Sequence, residues 1–130
     1  LEGHSDGDVV CHAIIDAVLG AAALGDIGSY FKSDNPDVPA GISSLILLER
    51  TIGIIRSQGW DIENVDATIV AEMPRLSGYI ASMRKAVSGA LKISVDRVSI
   101  KATTTDGLWF PWRSEGIAAH AIASLIGFKE

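Results

Sequence analysis

The sequence predicts a two-layer α+β fold, a small mixed β-sheet with helices packed on one face. Three observations lead there. Apolar residues recur at helical spacing early in the chain, as in Val10, Ile14 and Val18. Two later stretches, Val65–Ala71 and Val98–Thr105, are rich in β-branched residues and read as strands. Glycine and proline punctuate the segments between, with no internal repeat, low-complexity tract or linker. At 130 residues the chain reads as one domain, 1–130, long enough for a single sizeable core.

The first helix is predicted over His4–Leu24. Ser5 or Asp6 can cap it, because a short side-chain oxygen accepts from the unpaired N–H groups of the first turn. Val10, Ile14, Val18 and Ala21 form one apolar row; Ile15, Leu19 and Ala22 form another. "GDIGSYFKSDNPDVPAG" reads as a loop, punctuated by Gly25, Gly28, Pro36, Pro39 and Gly41. Ser43–Gln58 is the second helix, with Gly59 as a cap beyond it. The strand Val65–Ala71 leads through the turn "EMPRLSG" to a third helix, Tyr79–Leu91. The strand Val98–Thr105 and the loop "DGLWFPWRSEG" follow, and Ile117–Ile126 reads as a final helix. Two strands make a thin sheet, since three or more are usually needed for independent stability. A further segment or another subunit is therefore expected to complete it.

Composition narrows the function. Hydrophobic residues at 48% and charged residues at 21% mark a globular chain. The apolar runs are too short to span a bilayer and no signal-peptide pattern opens the chain, so no membrane partner is expected. The single cysteine, Cys11, excludes an intrachain disulfide framework and fits a reducing compartment. It adjoins His12, but a small apolar residue on a helix is the simpler reading. A net charge of −5 leaves no electrostatic footprint for nucleic acid. A phosphorylated ligand would need focused local donors.

Two clusters offer such chemistry. On a helix, Asp8, His12 and Asp16 share one slanting row. His12 is a candidate metal ligand, and Asp16 is placed to orient its ring. His4 and Ser5 stand near the helix N-terminus, where free N–H groups and the dipole favour an anion. The alternative is a solvated acidic face; a zinc site takes three protein ligands, and one strong candidate is visible. The second cluster is "KATTTDG", residues 101–107, at a strand end. Three threonines suit a strand by propensity alone, and equally suit a phosphate cradle with backbone N–H groups. His120, on the final helix, reads as a packed or solvated histidine.

Taken together, "GHSDGDVVCHAIIDAVLGAAALGDIG", "KATTTDG" and "RSEGIAAHA" closely resemble the 2-C-methyl-D-erythritol 2,4-cyclodiphosphate synthase family of the non-mevalonate isoprenoid pathway. The resemblance runs in order from Gly3 to about Ile126. It implies a homotrimer with active sites between subunits, a zinc ion, Mg²⁺ or Mn²⁺ among the substrate phosphates, and a cytidine diphosphate substrate. The implied reaction is cyclisation of 4-diphosphocytidyl-2-C-methyl-D-erythritol 2-phosphate to the 2,4-cyclodiphosphate, with release of CMP. By the same resemblance His12 is a zinc ligand, and His4 and Thr104 stabilise the transition state. Ser5 contacts the phosphates, and Asp26, Ile27 and Gly28 line the methylerythritol pocket, with Phe31 and Asp34 on the loop beside it. Ala71, Met73, Pro74, Arg75 and Leu76 match the cytidine and phosphate pocket lent by the neighbouring subunit, as do Thr103, Thr105 and Asp106. Phe110 and Arg113 match residues near the threefold axis, where an apolar ligand could lie. The implied location is the cytoplasm, or the plastid stroma in a plant or alga.

The sequence also departs from the family. Members carry an Asp-x-His pair on an initial strand that completes the zinc site; the sequence as written starts beyond it, so its zinc site is expected to be incomplete. Trp109 and Trp112 stand where the family usually has glycine, and Lys32, Ser33 and Asn35 alter the loop after Phe31. These departures define the alternative function, a catalytically inactive trimeric scaffold or a binder of an apolar molecule.

Overall fold

The computed structural model describes residues 2–31, 43–71, 77–103 and 117–127, with their side chains apart from those of residues 2–6 and 77. The elements in order are α1 (Glu2–Ala21), α2 (Ile27–Tyr30), α3 (Ser44–Ser57), β1 (Trp60–Ala71), α4 (Ser77–Leu91), β2 (Val98–Thr103) and β3 (Ile117–Gly127). A 3₁₀ turn, Val95–Arg97, leads into β2.

Helix α1 forms because two adjacent apolar rows, Val10–Ile14–Val18 and Cys11–Ile15–Leu19, meet the core along its length. All six side chains are buried. The helix starts at Glu2, so Ser5 and Asp6 lie inside its first turns and neither is its N-cap. It ends three residues earlier than the predicted Leu24, where Ala23 turns into the left-handed region at φ 60°. There Leu24 N–H bonds Leu19 C=O at 2.8 Å and Ala23 N–H bonds Gly20 C=O at 2.9 Å, which satisfies the last carbonyls. Helix α4 ends the same way, with Lys92 at φ 60°. Helix α3 matches the predicted span, with Ser43 as N-cap accepting from Leu45 N–H at 3.1 Å and Gln58 as C-cap. Gly59 beyond it adopts φ 90°, a conformation costly for any residue with a Cβ.

The sheet has three strands in the order β2–β1–β3. β1 runs parallel to β2 and antiparallel to β3, so the sheet is mixed as expected. One face carries Ile62, Val65, Ala67, Ile69, Val98 and Ile100 into the core beneath the helices. Asp66, Thr68, Lys101, His120 and Ile122 lie on the opposite face. Arg84 of α4 fastens the 3₁₀ turn, donating to Val98 C=O at 2.7 Å and to Val95 C=O at 2.9 Å. No helix among the described residues is long and apolar enough to cross a membrane.

The largest correction concerns residues 117–126. They form strand β3, not a final helix, and this strand supplies the sheet's third member from within the chain. Alanine-rich sequence favours a helix locally, but tertiary packing overrides it. Ile117, Ala119, Ala121, Ala123 and Leu125 pack inward against the core, where small side chains let α1 lie close to the strand. His120 and Ile122 point the other way and are exposed; Ala118, Ile122 and Ile126 put apolar residues on this face too, which hides the period of two. His120 is solvated on a strand, not on a helix.

Candidate active site

Two helices, α1 and α3, meet at His12. The exposed imidazole sits on α1 one turn after Asp8, so the two side chains share a face. The start of α3 packs against that face. Its first residue, Ser44, is 7% exposed and donates its hydroxyl to Asp8 Oδ1 at 2.8 Å. Ser44 Oγ also lies 3.4 Å from His12 Nε2. Sequence separation of 36 and 32 residues hid this serine from sequence reasoning; the only local signal was the adjacent pair Ser43–Ser44 at a helix start.

Asp16 does not orient the His12 ring. Its Oδ1 accepts Ile27 N–H at 2.6 Å, tying α1 to the first residue of α2. Asp26 then caps α2, accepting from Ser29 N–H at 3.0 Å and Ser29 Oγ at 2.9 Å. The expected pocket residues Asp26, Ile27 and Gly28 are thus held next to the row that carries His12. Phe31 is half-buried against the core, its ring 6.4 Å from that of Tyr30.

Two more of the expected residues, Ala71 and Thr103, lie at the carboxyl ends of the parallel strands. Val70 of β1 pairs with Thr103 of β2, so Ala71 and Thr103 leave the sheet side by side. Adjacent parallel strands place their following loops together, which is where open α/β sheets commonly bind ligands. Met73, Pro74, Arg75 and Leu76 lie outside the described residues, as do Thr104, Thr105, Asp106, Phe110, Arg113 and Asp34. His4 and Ser5 lie in the first turns of α1, their side chains outside the described set.

Between α1, α3 and α4 lies a cavity of about 330 Å³. Its inner lining includes the buried Val10, Cys11, Ser44 and Val87, and Asp8 borders it. Cys11 offers no ligand beside His12. Burial, with the nearby Asp8 charge second, pushes its thiol up to about 12, so it stays protonated near neutral pH. Among the described residues no group of three His, Cys, Asp or Glu side chains is arranged to hold a metal ion. The imidazole of His12, exposed and braced on one nitrogen, suits one corner of a zinc shell; a full shell takes more.

Residues 1–126 match the YgbB family. The 2-C-methyl-D-erythritol 2,4-cyclodiphosphate synthase of Pseudomonas putida (strain W619) is 49% identical over 126 residues, 97% of this chain and 80% of its own length. The bifunctional IspDF of Campylobacter jejuni superposes with a TM-score of 0.83 at 33% identity over 93% of this chain; the chain spans only 32% of that longer protein. The CDP complex of IspF from Plasmodium falciparum gives a TM-score of 0.77 at 28% identity, covering 93% of this chain and 72% of that one.

Proposed function

The chain belongs to the YgbB family, and from that membership we infer that it catalyses the reaction for which its relatives are named. It converts 4-diphosphocytidyl-2-C-methyl-D-erythritol 2-phosphate to the 2,4-cyclodiphosphate and releases CMP. The observation that carries this reading is 49% identity to a cyclodiphosphate synthase across 97% of the chain.

In the reaction an oxygen of the 2-phosphate attacks the β-phosphorus. A new P–O bond closes the ring, the P–O bond to CMP breaks, and CMP leaves with the electron pair. Such a transfer asks the protein chiefly for positioning and charge neutralisation. In this reading the segment Asp26–Gly28 meets the methylerythritol hydroxyls, supported by its hydrogen bond to Asp16. His4 and Ser5, in the first turns of α1, contact the phosphates. The paired strand ends at Ala71 and Thr103 lead into the segments that take the cytidine and its phosphates, with Thr104 aiding the transition state. This last assignment is supported by the parallel pairing of β1 and β2 and by a CDP-bound relative. His12 serves as one zinc ligand, the others coming from outside the described residues. When bound, zinc there and Mg²⁺ or Mn²⁺ among the phosphates neutralise charge on the phosphate oxygens.

The working form is a homotrimer with each site shared between neighbours. Apolar side chains on the face of the sheet opposite the core support it, with Ile122 72% and Ile126 52% exposed in the single chain. A lone, buried cysteine supports a reducing compartment such as the cytoplasm or the plastid stroma. The test is incubation of the zinc-loaded protein with the diphosphocytidyl substrate and Mg²⁺. Phosphorus NMR is expected to show the cyclic diphosphate and CMP appearing in equal amounts. Substrate left intact by folded, zinc-loaded protein would rule the activity out.

A further inference from the structure

With Asp8 ionised and the ring neutral, the contact between His12, Ser44 and Asp8 favours one assignment of protons. A serine hydroxyl has a single proton to give. Asp8, as a carboxylate, accepts and does not donate, so at 2.8 Å it takes that proton. The Ser44 oxygen then presents only lone pairs to the ring 3.4 Å away. The nitrogen facing it, Nε2, must bring the hydrogen. We propose that Ser44 is a positioning residue that holds neutral His12 as its Nε2–H tautomer and so leaves the lone pair on Nδ1.

Burial supports the assignment. Ser44 is 7% exposed, so its own hydroxyl is shielded from water, and a satisfied polar chain of this kind is stiff. The hydroxyl is also placed by the backbone, since Ser43 caps α3 and fixes where that helix begins. Asp16, the nearest alternative on the His12 row, is engaged with Ile27. The inference deepens the reading of His12 as a zinc ligand and rests on that reading for its functional meaning. A ligating imidazole needs its free lone pair aimed at the metal, and the hydrogen bond on its other nitrogen sets that choice.

Nitrogen-15 histidine spectra of the intact, metal-free protein, recorded above the imidazole titration range, read the tautomer directly. The His12 signal is assigned by its loss in His12→Ala. The wild type is expected to show protonated Nε2 and bare Nδ1. Ser44→Ala is expected to give a tautomer mixture, and Ser44→Thr, which keeps the hydroxyl, to restore the wild-type pattern. Zinc titration of Ser44→Ala is expected to show affinity about 10- to 100-fold weaker, as for other losses of a ligand's hydrogen-bond partner. A wild-type Nδ1–H tautomer overturns the proposal, and so does a Ser44→Ala spectrum or zinc affinity matching the wild type. Where the alanine variant does not fold, Ser44→Thr and the wild-type spectrum still test the proposal, since an Nδ1–H signal in either overturns it. Protein with the Nε2–H tautomer that takes up no zinc supports the Ser44 assignment and overturns the metal role of His12, so the two failures are distinguishable.

Discussion

Ile27 N–H donates to Asp16 Oδ1 across 2.6 Å, joining residues 11 apart in the chain. The bond anchors the segment Asp26–Gly28 to the helix that carries His12. Asp16→Ala is expected to raise KM about tenfold with a smaller change in kcat. On the proposed function the lost contact holds a segment assigned to the methylerythritol part of the substrate and not to the reacting phosphates, and a charge-assisted hydrogen bond is worth roughly that much. Asp16→Asn keeps an acceptor and should recover part of the loss. Steady-state measurement of CMP release, with the two constants separated, checks this.

Ala23 and Lys92 both end helices at φ 60°, where a Cβ is strained. Ala23→Gly and Lys92→Gly are each expected to stabilise the fold by about 1 kcal/mol, a rise of a few degrees in Tm. Urea and thermal melts of the single and double variants check it. The double variant should show additive gains, since the two caps belong to different helices.

Strand β3 predicts a sharp contrast between neighbours. Ala121 faces inward and packs against the core. Ala121→Leu should overpack that contact and cost about 1–3 kcal/mol in urea melts. Ile122 is 72% exposed in the single chain. Ile122→Asp should leave a folded protomer but lower the mass seen by sedimentation, if trimers form through this face. A full-mass assembly in that variant would move the interface elsewhere.

Asp66 ties part of stability to pH. The hydrogen bond from Lys101 Nζ, aided by the lysine charge and by Ser99, holds its carboxyl below the ordinary 3.8. A depressed folded value means the contribution is complete above the unfolded pKa and is lost as pH falls through the folded one. The stability difference between wild type and Lys101→Ala should therefore be present at neutral pH and vanish in strong acid. Both partners are well exposed, at 55% and 44%, so added salt should shrink the difference. Denaturant melts at neutral and acid pH, in low and high salt, check both trends.

Much of this fold is legible in the sequence because its cues are local. The apolar rows of α1, the cap at Ser43 and the β-branched residues of β1 each act within a few positions of themselves. β3 was misread because its inward alanines answer to α1, packed against them from the far end of the chain. The partners of Asp16 and His12 were hidden for the same reason. Ile27 and Ser44 reach them only after helices pack, and no spacing rule connects residues 11 or 32 positions apart. Ala71 and Thr103 enter through the family resemblance, yet their place at one edge of the sheet follows from the parallel pairing of β1 and β2, a property of topology.

The burial of Cys11 has a bearing on chemistry under oxidative stress. Sulfur one residue from His12 would otherwise be the softest donor nearby and the first target for peroxide. Locked in the core as a thiol with a pKa of about 12, it presents almost no thiolate near neutral pH. The imidazole is left without a sulfur rival beside it for any ion it binds, and Cys11 gives the helix no redox fuse.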